Sequence, residues 1–174
     1  MNKPPASDFR WREEGGGEAA GARCFAFLDT IGIGYEHIGK REAQLLEGLA
    51  ILEGKILLDP GAAIWPGDVL HEAGHIAVTP ADRRPTLGPI EPDRIEEVAA
   101  IAWSYAAARE CGLALREIFH ADGYHSKGEN WIKAYSAGQF IGWELLQMRG
   151  MATDMRSALA QGVPSYPGMI RWLN

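Results

Sequence analysis

The sequence predicts an α+β domain, mainly helical, with one small antiparallel β-sheet. Three observations lead there. Apolar residues recur at helical spacing in several long segments. A single pair of short apolar runs, LAIL and KILL, flanks Glu53-Gly54. The 174 residues show no internal repeat and suit one domain with a sizeable core.

The elements follow in order. Residues 1–17 mix Pro, Gly and charge without periodicity and predict a flexible arm, with the single domain at 18–174. Ala22, Phe25, Leu28 and Ile31 recur every three residues before Gly32, which predicts a helix over 18–31 with a glycine stop. A short helix is expected at 41–48. LAIL and KILL then form a hairpin, since Gly54 can supply the positive φ of a tight turn and Pro60-Gly61 ends the second strand. Pro66 opens the next helix, where a missing N–H costs nothing, and the helix runs to Val78. Four prolines make 79–92 a loop. Helices are expected at about 92–111, closed by Gly112, and at 113–119. Ser126-x-x-Glu129 reads as a capping box opening a helix to about Gln139, with a further helical piece at 142–150. The tail YPGMIRWLN packs back on the domain. Trp65, Trp103, Trp131, Trp143 and Trp172 sit in helical contexts and read as core.

Composition narrows the function classes. Apolar residues make up 47% and charged residues 23% of the chain, as in a soluble globular protein. A net charge of −6 offers no basic footprint for nucleic acid. No apolar run approaches the roughly 20 residues of a membrane span. The N-terminal stretch lacks the apolar region of a secretory signal. Cys24 and Cys111 stand far apart and outside any C-x-x-C, so they read as reduced thiols of a cytoplasmic protein.

The chemistry is concentrated in DVLHEAGHIAV, 68–78. Two imidazoles and a carboxylate are costly to bury without partners. On a helix His71 and His75 lie one turn apart on one face, so both can reach one zinc ion. Glu72 is rotated off that direction but can reach a metal-bound water, the division of labour of an H-E-x-x-H helix. Gly74 costs about 1 kcal/mol of helix stability relative to Ala, which is reasonable where something must approach closely. A third ligand is needed. Val78 and Ala81 stand where the metzincin pattern requires Gly and His, so that class is excluded. The next helix offers Glu96 and Glu97, and periodicity alone does not choose between them.

HEAGH followed by a glutamate helix resembles the gluzincin metallopeptidases. The order helix, strand pair, HEAGH helix, glutamate helix is similar to the minimal ImmA/IrrE-type zincins, over roughly residues 20–110. The resemblance implies a zincin-like fold, with zinc held by His71, His75 and Glu97 and with Glu72 as general base. The Glu-x-x-Ala frame with an aromatic shortly after selects Glu97, through Glu97-Val98-Ala99-Ala100 and Trp103. The polar residue that the family carries four positions after this glutamate is Ile101 here, and no helix-turn-helix domain accompanies the motif.

A second cluster, FHADGYHSKGENW at 119–131, concentrates His120, Asp122, Tyr124 and His125. Zinc hydrolysis needs a donor for the developing oxyanion, and His or Tyr commonly fills that role. Tyr124 and His125 are the candidates, with Tyr105 as another. Cys111 reads as a small packed residue. The expectation is a zinc-dependent peptidase acting on peptide or protein substrates. The alternatives are a non-catalytic zincin-fold binding module and a hydrolase of non-peptide amides.

Overall fold

The structure is a computed structural model that describes residues 3–38, 48–88, 94–121, 123 and 128–174. The described elements run β1 (Arg10–Trp11), α1 (Gly17–Ile31), β2 (Gly34–His37), β3 (Leu49–Leu52), β4 (Lys55–Leu58), β5 (Ala63–Ile64), α2 (Pro66–Val78), α3 (Arg94–Glu110), α4 (Leu115–Ile118), α5 (Gly128–Ser136), α6 (Trp143–Met148) and α7 (Met155–Gln161). The fold is α+β, mainly helical with small sheets. Most of the short helix expected at 41–48, and the Ser126 cap, lie outside the described residues.

The sheet departs from the expected antiparallel one. β3 and β4 do form an antiparallel hairpin, with Ile51 opposite Ile56. Its turn places both Glu53 (φ 51°) and Gly54 (φ 69°) in the left-handed region, the backbone that matches strand twist in a two-residue hairpin. β2, however, adds to the other edge of β4 in parallel, with Tyr35 opposite Ile56. Gly32 is left-handed after α1 and lets the chain return along β4 without a hairpin. A two-residue strand has too little alternation to announce itself, and β1 and β5 form a separate parallel pair that the sequence did not suggest.

With that pair, the described residues 3–17 depart from the loose arm expected for 1–17. Phe9 and Trp11 are buried, and Trp11 packs edge-on to Phe25 of α1 at 5.5 Å between ring centroids. A side chain at Gly21 would meet the Trp11 indole at 2.4 Å, so the glycine makes room for it. The proline and glycine content was misleading because two aromatic side chains bury enough apolar surface to order the segment. β1 also holds β5 in place directly before Pro66, and so helps to fix where α2 begins.

α2 is the centre of the molecule. All of its residues except Asp68 are buried. It packs along α3 and touches α1, α4, β3 and β4. Full burial of side chains such as Leu70 and Ile76 stabilises by about 1.5–3 kcal/mol each. The approach of α3 explains Gly74: a Cβ there would lie 2.7 Å from the Ala100 carbonyl oxygen. Gly74→Ala should therefore lower stability by about 1–3 kcal/mol, against the gain of about 1 kcal/mol that helix propensity alone would give. Urea denaturation decides the sign, and a stabilised variant would refute the close approach.

The helices expected at 92–111, 113–119 and 142–150 are found as α3, described from Arg94, and as α4 and α6, the last separate from α5. Left-handed Gly138 and Gly142 break the chain between α5 and α6. α7 had no counterpart in the sequence reading. Its signals are local: the Asp154 carboxylate accepts the Ser157 N–H at 2.9 Å, and Gly162 closes the helix. Of the tryptophans, Trp103 is fully buried and Trp65, Trp131, Trp143 and Trp172 are half-buried. The tail packs back through Met169, Trp172 and Leu173. Among the described residues no helix is long and apolar enough to cross a membrane.

Candidate metal centre

The site is built where α2 and α3 come closest. His71 and His75 point from one face of α2, with Nε2 atoms 3.2 Å apart. Both rings are buried. Glu97, in the first turn of α3, faces them with one carboxylate oxygen each. Oε1 lies 3.4 Å from His71 Nε2, and Oε2 lies 3.4 Å from His75 Nε2. Glu97 is one turn before Ala100, as His71 is one turn before Gly74. The glycine contact that draws the helices together therefore also brings the carboxylate to the imidazoles.

These three residues could hold a metal ion. Tetrahedral zinc with bonds of about 2.0–2.1 Å places its ligand atoms about 3.3–3.4 Å apart; here the imidazole nitrogens are 3.2 Å apart, each lies 3.4 Å from a different Glu97 oxygen, and one atom from each residue falls within 4.8 Å of the others. Two imidazole nitrogens and one carboxylate are a donor set of the type found in hydrolytic zinc sites. Burial, with the nearby His75 adding to it, pushes the His71 pKa down to about 3, against the pull of Glu97. His71 is therefore neutral at pH 7, the form that a metal requires.

Glu72 stands beside the ligands without joining them. It is 3% exposed, and its Oε2 has no hydrogen-bond partner among the described residues. A buried, unsatisfied carboxylate oxygen is costly unless something else occupies its surroundings. Burial raises its pKa to about 7, with His75 opposing the shift. A carboxylate tuned near neutrality is suited to accept and return a proton.

The other expected site residues are distributed differently. Tyr124, His125 and Asp122 lie outside the described residues. Tyr105 packs in an aromatic cluster with Tyr135 (4.7 Å) and Phe140 (5.5 Å). The Cys111 thiol points to the Arg23 carbonyl, and Asp82 is exposed. Glu96 is not in the ligand group.

One pairing was missed by the sequence reading. His120 Nε2 lies 2.8 Å from Asp68 Oδ1, and its ring stacks on Trp65 at 4.0 Å. His120 is buried and close enough to His71 to contribute to its lowered pKa. Asp68 precedes His71 by three residues, so it shares the ligand face of α2. That spacing was the available signal; the partner, 52 residues away in sequence, was not. No family model, curated protein or solved structure matches the chain.

Proposed function

We propose that this chain is a small zinc-dependent metallopeptidase, zincin-like in fold and gluzincin-like in its ligands, that cleaves peptide or protein substrates. The observation that carries the reading is the closeness of His71, His75 and Glu97 with the buried Glu72 beside them. Zinc bound there supplies a Lewis acid for the scissile carbonyl and lowers the pKa of water. Glu72 accepts the proton of the attacking water at its carboxylate and delivers it to the leaving nitrogen. Asp68 holds His120 against Trp65 at the edge of the same face, where the imidazole can face a developing oxyanion. Tyr124 and His125 keep their proposed role as further donors. A cytoplasmic setting, with Cys24 and Cys111 as reduced thiols, is part of the same proposal.

Protein purified without added metal should contain close to one zinc per chain. It should cleave members of a peptide library, lose that activity with a chelator, and regain it with zinc. A zinc-loaded protein that cleaves none of them would favour the non-catalytic binding module. Cleavage confined to non-peptide amides would favour the other hydrolase class.

A further inference from the structure

The helix that carries both histidines lacks a glycine cap at its C-terminus, and beyond the Thr79 hydroxyl its last carbonyls are satisfied from outside the helix. Thr79 follows it in extended conformation, with no left-handed glycine to fold the chain back onto the last carbonyls. One donor is local and the others come from elsewhere. Thr79 Oγ1 donates to the His75 carbonyl at 2.8 Å. The backbone N–H of Asn174 donates to the Ala77 carbonyl at 2.9 Å, and the Asn174 side-chain amide donates to the Val78 carbonyl at 2.9 Å. Arg84 Nη2 bridges the Thr79 carbonyl at 3.2 Å and the Asn174 carbonyl at 2.6 Å. Just before it, Trp172 accepts a hydrogen bond from Trp103 Nε1 of α3 at 2.9 Å and packs edge-on to Phe27 of α1 at 4.7 Å between ring centroids.

One three-residue segment thus holds the end of α2, the middle of α3 and α1 together. α2 and α3 carry all three candidate ligands. We propose that Trp172–Asn174, locked by Arg84, is a strap that positions the metal ligands, with Asn174 and Arg84 as positioning residues. The inference rests on the metal-centre reading above. The physical reason is leverage. His75 lies in the last turn of α2, where unsatisfied carbonyls let a helix fray. Fraying there moves His75 relative to His71, whereas the capped turn keeps both on one face. Linkage makes the effect mutual, so metal bound at the ligands must tighten the strap by as much as the strap tightens the metal.

The test uses zinc alone as ligand. Zinc affinity is measured by competition with a chromophoric chelator for wild type, Arg84→Ala, Arg84→Lys, Asn174→Pro and His75→Ala. Amide exchange of residues 172–174 is followed in the wild type with and without zinc. Arg84→Ala and Asn174→Pro should bind zinc about tenfold more weakly, the scale of lost outer-shell support, with helix content retained. Arg84→Lys should recover most of that loss. The cobalt-substituted variants should show a shifted visible spectrum, which a change in stability alone would not produce. Zinc should slow exchange at the Asn174 amide. Variants that bind zinc like the wild type would overturn the strap, and so would an Asn174 amide indifferent to zinc. If Arg84→Ala fails to fold, the wild-type exchange result decides. A wild type that binds no zinc, or binds it equally after His75→Ala, overturns the metal centre and the strap with it.

Discussion

Glu72→Gln should keep its zinc and lose about 10²–10⁴-fold in hydrolytic rate, the range that a positioned general base contributes. The amide is nearly isosteric and stands beside the ligands rather than among them, so the metal content should stay at the wild-type level. It cannot accept the proton of the attacking water. Metal analysis and peptide cleavage on the same preparation separate the two effects. Loss of zinc would make Glu72 a ligand, and an active variant would remove it as the base.

The same substitution has a signed effect on the metal-free protein. The Glu72 carboxyl has its pKa raised from 4.5 to about 7. The folded state therefore holds that proton more tightly than the unfolded state does. The stability this contributes is fully present below about pH 4.5 and is lost as pH rises through about 7. Gln has no proton to lose. Metal-free Glu72→Gln should gain stability relative to wild type across that window and hold the gain above it. The lowered His71 pKa acts with the opposite sign, but in both proteins, and cancels in the comparison. Urea midpoints that stay parallel from about pH 4.5 to 8 would contradict the desolvated placement of Glu72.

Glu97→Ala should weaken zinc binding by more than about a hundredfold, since loss of even an outer-shell partner costs about 10–100-fold. It leaves two imidazoles and no carboxylate among the candidate ligands. Glu96→Ala should change stability by no more than about 0.5 kcal/mol and leave zinc affinity alone. Isothermal titration of both variants makes the comparison. A reversed pattern, with Glu96→Ala losing the metal, would mean that α3 is rotated from the position described.

The contrast between these neighbours shows what a linear reading can reach. A helix turns about 100° per residue, so only one of the two acids can face α2. Both flank the apolar stripe, and periodicity left the choice open. A resemblance chose Glu97, and the packing of α3 against Gly74 now places Glu97 within 3.4 Å of each imidazole. The i, i+4 spacing of His71 and His75 needed no tertiary information, because helix geometry alone puts them on one face. The same holds for the Glu53-Gly54 turn and for α2 itself, opened by Pro66.

Local chemistry determined these features: which segments are helical, which side chains share a face, and where a turn must fall. Other features were decided only by the tertiary structure. The burial of Phe9 and Trp11, the parallel pairing of β2 with β4 and of β1 with β5, the Asp68–His120 pair and the capping of α2 by Asn174 all join residues distant in sequence. Their physical origin is the demand that buried polar groups be paired and buried apolar surface be covered. That demand can be stated from the sequence, but the partner that meets it is chosen only when the chain has packed.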